Sequence, residues 1–375
     1  MRIGFDLRPF LKEETGVGVY FRNLLRELAA VDRENEYFLF SSSWKDRFPR
    51  SKLPGFARQR FRDVRLPVRL VNALWYRFGR PTLDSFFGTR LDVTHSPVPL
   101  FLPTRGRKIV TVCDLFFLEH PELADAEARR EFSRRAAAAV ARADGVITIS
   151  EYSRRVILER LGADETAVRA VPLGVDPGFF EPPSPEDLEG LRRRYALPET
   201  FVLFVGAFEP RKNLPRLVES WPGVLNRRPE AVLVLAGRAG GDFDNVKAAV
   251  RRLGLETSVL MPGYVPQMEL KGFYRLATAF VLPSLCEGFG LPLLEAMAAG
   301  LPAAVSSVSA LPEVAGDAAL LFDPQDAASL TDAVLRLLED DSLRRDLSSR
   351  GAQRARRFRW AETARQTLEF YRSVV

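Results

Sequence analysis

Short apolar runs alternate with longer amphipathic stretches along almost the whole chain, and that alternation limits the fold more than any other feature. A strand buried on both faces of a parallel sheet reads as one continuous apolar run, and each needs a crossover helix to reach the next. In the first half, strands are expected at 3–7, 37–40, 93–95, 109–113, 146–149 and 168–171. Helices are expected there at 18–30, 67–78, 126–143 and 152–161. Pro177, Pro182, Pro183 and Pro185 then crowd into nine residues, which predicts a stiff, non-helical connector. A second series follows, with strands at 201–205, 232–236, 258–261, 279–282, 303–306 and 319–322. Its helices are expected near 213–226, 243–253, 267–277, 291–299, 326–339 and 342–357. Two doubly wound α/β domains account for this count, in keeping with 375 residues. The boundaries expected are 1–175 with a returning helix at 356–375, and 176–355.

Several function classes fall away early. No apolar run reaches the ~18 residues of a spanning helix. Two cysteines, Cys113 and Cys286, exclude a disulfide scaffold, and two histidines, His95 and His120, exclude a His-rich metal site. The chain enters its first strand pattern at once, without a signal-peptide pattern, so the expectation is a cytoplasmic protein. The net charge of +6 hides an asymmetry. Residues 1–175 hold 30 Lys+Arg against 22 Asp+Glu, and residues 176–355 hold 19 against 24. The stretch 44–90 has 12 cations and 3 acids, interleaved with Phe48, Phe56, Phe61, Trp75, Tyr76, Phe78, Phe86 and Phe87. A basic-aromatic surface of this kind can bind nucleic acid or the anionic head groups of a membrane, and a solvated face in an Arg-rich chain is the plain alternative. No nucleic-acid partner is expected.

The most informative segment runs from Pro283 to Met297, PSLCEGFGLPLLEAM. A strand ends, a glycine-rich turn follows, and a helix begins at about Gly290. Such a start offers unpaired N–H groups and a positive dipole end to an anion. Glu287 lies in the turn and Glu295 two helical turns on; carboxylates cannot bind phosphate, so both point to hydroxyl groups. Gly16 and Gly18 predict a tight loop ahead of the first helix, open to close approach by a phosphate or an acceptor. Asp242-Phe243-Asp244 has the look of a metal motif, but Asp242 follows two glycines and precedes a helix, which predicts an N-cap instead.

The pair Glu287-x7-Glu295 within PSLCEGFGLPLLEAMAAGLP resembles the hallmark of the family-4 retaining glycosyltransferases. VGAFEPRKN (205–213), VLAGRAG (234–240), MPGYVP (261–266) and LPEVAGDAALLFDP (311–324) agree with it in order and spacing. The first half matches more loosely, through TGVGVYFRNLL (15–25), TVCDLFFLEHPE (111–122) and PLGVD (172–176). The resemblance implies the GT-B fold, two Rossmann-like domains facing across a cleft with a C-terminal helix crossing back to the first. It also implies a metal-independent, retaining hexosyltransferase with no cofactor, in the branch that moves mannose in bacterial surface polysaccharide synthesis. The implied donor is GDP-mannose and the implied acceptor a lipid-linked or growing glycan, with peripheral attachment to the membrane's inner face. A UDP-sugar donor, an epimerase on the same fold, or a donor-binding protein without turnover are the alternatives.

Residue by residue, the resemblance puts Glu287 on the sugar hydroxyls, and Arg211 and Lys212 on the donor diphosphate. Gly206 and the amides of Phe289, Gly290 and Leu291 line the donor site, Glu295 holds the ribose, and the base lies near Tyr264 and Val265. In the first domain, Cys113 and Asp114 stand where relatives have His-Asp. A second departure is Ala207, which follows Gly206 where many relatives carry Arg; Arg211 is the expected substitute.

Overall fold

The computed structural model describes residues 1–10, 16–100, 102–124 and 126–375. It divides into two units, Met1–Gly174 with Arg359–Val375, and Val175–Phe358. The sequence expectation places these crossings at 175/176 and 355/356.

The first unit holds a seven-stranded parallel sheet in the order β3-β2-β1-β4-β5-β6-β7. Its strands are β1 (Arg2–Asp6), β2 (Glu36–Ser42), β3 (Gln59–Val64), β4 (Val93–Ser96), β5 (Arg107–Thr111), β6 (Gly145–Thr148) and β7 (Val168–Ala170). Phe5, Phe38, Phe40, Val93, Ile109 and Ile147 are buried along it, because crossover helices cover both faces. The strand β3 was not anticipated. Its sequence, QRFRDV, carries charges where a central strand carries Val or Ile, and it lies at the sheet edge. Charged edges discourage pairing with another chain.

The second unit has a six-stranded parallel sheet, β10-β9-β8-β11-β12-β13. These strands are β8 (Phe201–Val205), β9 (Val232–Ala236), β10 (Val259–Gly263), β11 (Ala279–Leu282), β12 (Ala303–Ser306) and β13 (Leu320–Phe322). Chain order reverses between β8 and β11, and in an open α/β sheet a ligand binds beyond the carboxyl ends of the strands at such a point.

Two local expectations are corrected. The proline-rich stretch does not exclude helix: Pro185 opens the helix Pro185–Arg194, with Ser184 as N-cap accepting from the Asp187 N–H. Proline suits the first helical position, where its missing N–H has no partner to lose. Gly16 and Gly18 are not in a loop; both lie in the first turn of the helix Gly16–Val31, and a Cβ on Gly16 would meet nothing within 4 Å.

The C-terminal helix Trp360–Val374 belongs to the first unit and packs on the Gly16–Val31 helix. A buried polar chain secures it. Tyr371 Oη lies 2.6 Å from His95 Nδ1, and His95 Nε2 lies 2.7 Å from Thr111 Oγ1. Tyr20 Oη is 3.1 Å from that same hydroxyl. Burial pulls the imidazole down to about 3, so His95 stays neutral and bonds through both nitrogens.

Candidate active site

The loops beyond β8 and β11, on either side of the reversal, bring the main site residues together. After β8 the chain passes Gly206 and Ala207 and makes a short 3-10 turn, Pro210–Lys212, ending at Asn213 in the left-handed conformation (φ 57°). Asparagine tolerates that conformation better than most residues. Its side-chain amide donates to the carbonyls of Pro283 (3.2 Å) and Pro324 (2.8 Å), and Leu285 N–H donates to Arg211 O at 2.8 Å. The turn is thereby fastened to the ends of β11 and β13. Gly206 lies beside Lys212: a Cβ there would come 3.6 Å from Lys212 Cε.

Beyond β11, the carboxylate of Glu287 is the hub. It is buried, with Oε1 accepting from Lys212 Nζ (2.5 Å) and Ser284 Oγ (2.8 Å), and Oε2 from Arg211 (3.0 Å). Its own N–H donates to Ser309 Oγ at 3.0 Å. Burial alone would raise this carboxyl, but Lys212 and Arg211 outweigh it and hold it down at about 2. Burial lowers the ammonium of Lys212 from its ordinary value, against the pull of Glu287. Arg211 also pairs with Glu209 at 2.8 Å.

The adjoining helix, Leu291–Ala298, starts at Gly290, which adopts φ 100°. A Cβ there would stand 2.6 Å from Leu311 Cδ2, so both conformation and space call for glycine. The amides of Phe289, Gly290 and Leu291 donate to no acceptor among the described residues, as expected of a helix start. Two fixed cations, a row of N–H donors and an ionised carboxylate thus share one corner. That set can hold a diphosphate on one side and accept from hydroxyls on the other.

Glu295, half-buried on the same helix, accepts from Tyr274 Oη at 2.9 Å. Burial raises its carboxyl to about 7; the Tyr274 hydrogen bond works against this, and Asp176 adds to it. Tyr264, just past β10, is exposed and lies under the Arg238 guanidinium, 4.5 Å from the ring centre, while Val265 is buried. Gly237 N–H donates to Gly263 O, tying the ends of β9 and β10.

In the first unit, Cys113 lies two residues past β5 and is half-buried, and its carbonyl accepts from Ser153 Oγ at 3.1 Å. Burial, with Asp114 beside it, pushes the thiol well above its ordinary range, so it is a neutral group at pH 7. Asp114 follows it, half-buried. His120 sits 3.2 Å from Glu122. Asp242 occupies the N-cap position of the helix Phe243–Arg252, but its side chain makes no cap bond and accepts from Asn245 instead. Its φ of −105° and ψ of 2° are not the extended conformation that capping requires. No group of three His, Cys, Asp or Glu side chains fit for a metal occurs among the described residues.

Family models divide the chain as the sheets do. Glycosyltransferase Family 4 matches residues 15–179, and Glycosyl transferases group 1 matches residues 191–354. The O-antigen chain mannosyltransferase B of Escherichia coli is 30% identical over 99% of this chain and 100% of its own length. This chain belongs to glycosyltransferase family 4. Its fold is GT-B. The sucrose-phosphate synthase of Thermosynechococcus elongatus superposes with a TM-score of 0.78 at 24% identity, covering 99% of this chain and 98% of that one. Anabaena HepE, in complex with UDP and glucose, gives 0.75 at 17% identity over the full length of both.

Within this family-4 glycosyltransferase, four contributors to the site escaped sequence reading. Ser284 and Ser309 lie in or beside quoted motifs, but nothing in their spacing marks them as partners of Glu287. Asn213 ends a quoted motif without a distinguishing signal. Tyr274 sits on an ordinary amphipathic helix, Gln267–Leu276, where its hydroxyl is indistinguishable from that of any core tyrosine.

Proposed function

We propose that this glycosyltransferase moves mannose from GDP-mannose to a growing, lipid-linked surface glycan, with retention of configuration and without a divalent metal. The observation that carries the reading is the Glu287–Lys212–Arg211 cluster, with Glu287 and Lys212 buried and Arg211 partly so, against the Gly290 helix start. As the sugar–phosphate bond breaks, charge builds on the leaving diphosphate, and preorganised cations and amides stabilise that state more than the ground state. Glu287, held ionised and tied to three donors, is suited to orienting sugar hydroxyls rather than attacking carbon. The leaving phosphate then takes the acceptor proton on the same face. The full-length likeness to an O-antigen mannosyltransferase supports mannose and a surface glycan. No helix among the described residues is long and apolar enough to cross a membrane. The reading has the exposed cations of 44–90 hold the protein against anionic lipid.

A thermal-shift panel of GDP-, UDP- and ADP-sugars in EDTA tests the donor. A ligand at about 100 times its dissociation constant adds about 2.7 kcal/mol of stability. The reading expects GDP-mannose to give the largest shift and transfer to survive the chelator. A larger shift with a UDP-sugar, or transfer restored only by Mg²⁺ or Mn²⁺, refutes the corresponding part.

A further inference from the structure

The chain has four tryptophans. Trp75, Trp221 and Trp360 are at most 4% exposed, whereas Trp44 is 63% exposed. Tryptophan is among the most buried residue types on average, so an indole this open is unusual. Its position adds to the point. Trp44 stands two residues past β2, at the carboxyl end of the first sheet and next to β1, where strand order reverses. That is the ligand-facing end of a parallel α/β sheet.

The turn that carries the indole is braced. Ser43 N–H donates to Val64 O at 3.2 Å, and Ser43 Oγ accepts from Asp46 N–H at 3.0 Å. Arg47 pairs with Asp63 at 2.9 Å, and Phe48 N–H donates to the same carboxylate at 3.3 Å. Phe48 is buried and anchors the far side of the turn. A large, flat, apolar surface on a braced turn is preorganised for a flat partner. Lys45 and Asp46, both exposed beside it, offer a hydroxyl's oxygen a donor and its proton an acceptor.

We propose that Trp44 forms an acceptor subsite, stacking its indole on the C–H face of a pyranose ring of the glycan being extended. The inference rests on the glycosyl-transfer reading above. A membrane contact is the rival for an exposed tryptophan. The residues that flank Trp44 in sequence, Ser43, Lys45, Asp46 and Arg47, are all polar, so the turn offers a bilayer a single large apolar side chain. The cations Lys45 and Arg47 make lipid the arm that the test below must separate.

Because the other three indoles are buried, Trp44 supplies the solvent-exposed part of the emission and reports its own surroundings. Titration with α-linked mannotriose should shift or quench that emission in the wild type, and Trp44→Phe should abolish the change. In transfer assays Trp44→Ala should raise the acceptor KM about tenfold, equivalent to about 1.4 kcal/mol of lost contact. The donor KM, and kcat at saturating acceptor, should hold, and Trp44→Phe should recover most of the loss. An unchanged acceptor KM in Trp44→Ala overturns the proposal. So does emission that responds to phosphatidylglycerol vesicles but not to mannotriose, which assigns the residue to the membrane. Absence of any nucleotide-sugar turnover in the wild type is a failure of the functional reading, and the mannotriose titration still decides the subsite.

Discussion

Lys212 is the residue whose surroundings most sharply separate function from decoration. A solvated lysine in a loop contributes almost nothing, but this one is buried against Glu287. Breaking one side of a buried pair costs about 3–5 kcal/mol because the other charge is left uncompensated. Arg211 and Ser284 remain on Glu287, so Lys212→Ala is expected near the lower end of that range in urea titration, together with a ten- to a hundredfold loss of kcat. Wild-type values for both would show that the pair carries neither stability nor chemistry. Glu295 gives a test by pH. Its raised pKa means the folded chain keeps a proton that the unfolded chain has lost, so this group's contribution to stability falls as pH rises from about 4.5 through about 7. With Glu295 proposed as the ribose ligand, the ribose hydroxyls need its ionised carboxylate as acceptor, so donor affinity is expected to run the other way. It should strengthen between about pH 6 and about pH 8 in wild type and stay flat in Glu295→Gln, read by calorimetry. The donor diphosphate remains ionised throughout and adds no slope. Both carboxylates were legible in the sequence, because a turn and a helix start fix their spacing. Tyr274 and Trp44 were not: the first meets Glu295 through tertiary packing, and the second differs from a core tryptophan only in exposure.

At the scale of elements, the apolar periodicity located the expected strands of both sheets to within a few residues, since a doubly covered strand has to be apolar throughout. It missed β3, whose charged residues belong to an edge rather than a centre. The same stretch corrects the basic-aromatic surface expected over 44–90. Phe48, Phe56, Trp75 and Phe87 turn inward, and of the eight aromatics singled out there only Phe78 is exposed, while the cations point outward. Composition counts side chains without their direction, so it could not separate the two sets. The C-terminal helix supplies a further test. Tyr371→Phe keeps its packing but leaves His95 Nδ1 without its partner in a buried site, at about 1–3 kcal/mol. Hydrogen exchange should show faster opening of 360–374 than in wild type. Unchanged protection would mean that apolar packing alone holds the helix.

For the whole molecule, the charge asymmetry noted in the sequence makes the first unit cationic, and the cations of 44–90 remain exposed. Each cation near an anionic surface is worth about 1 kcal/mol. Vesicles containing phosphatidylglycerol should bind the protein with an affinity that falls steeply with salt, and neutral vesicles should bind little. Equal binding to both kinds would remove charge as the cause. The central claim is sugar transfer with retention at the Glu287–Lys212–Arg211 site, and the configuration of the product tests it most directly. GDP-mannose carries an α-linked sugar, so the anomeric carbon–proton coupling of the new linkage, measured by NMR on the purified product, should report α-mannose. A β-linked product, or GDP-mannose left intact beside a mannan acceptor, would contradict the account.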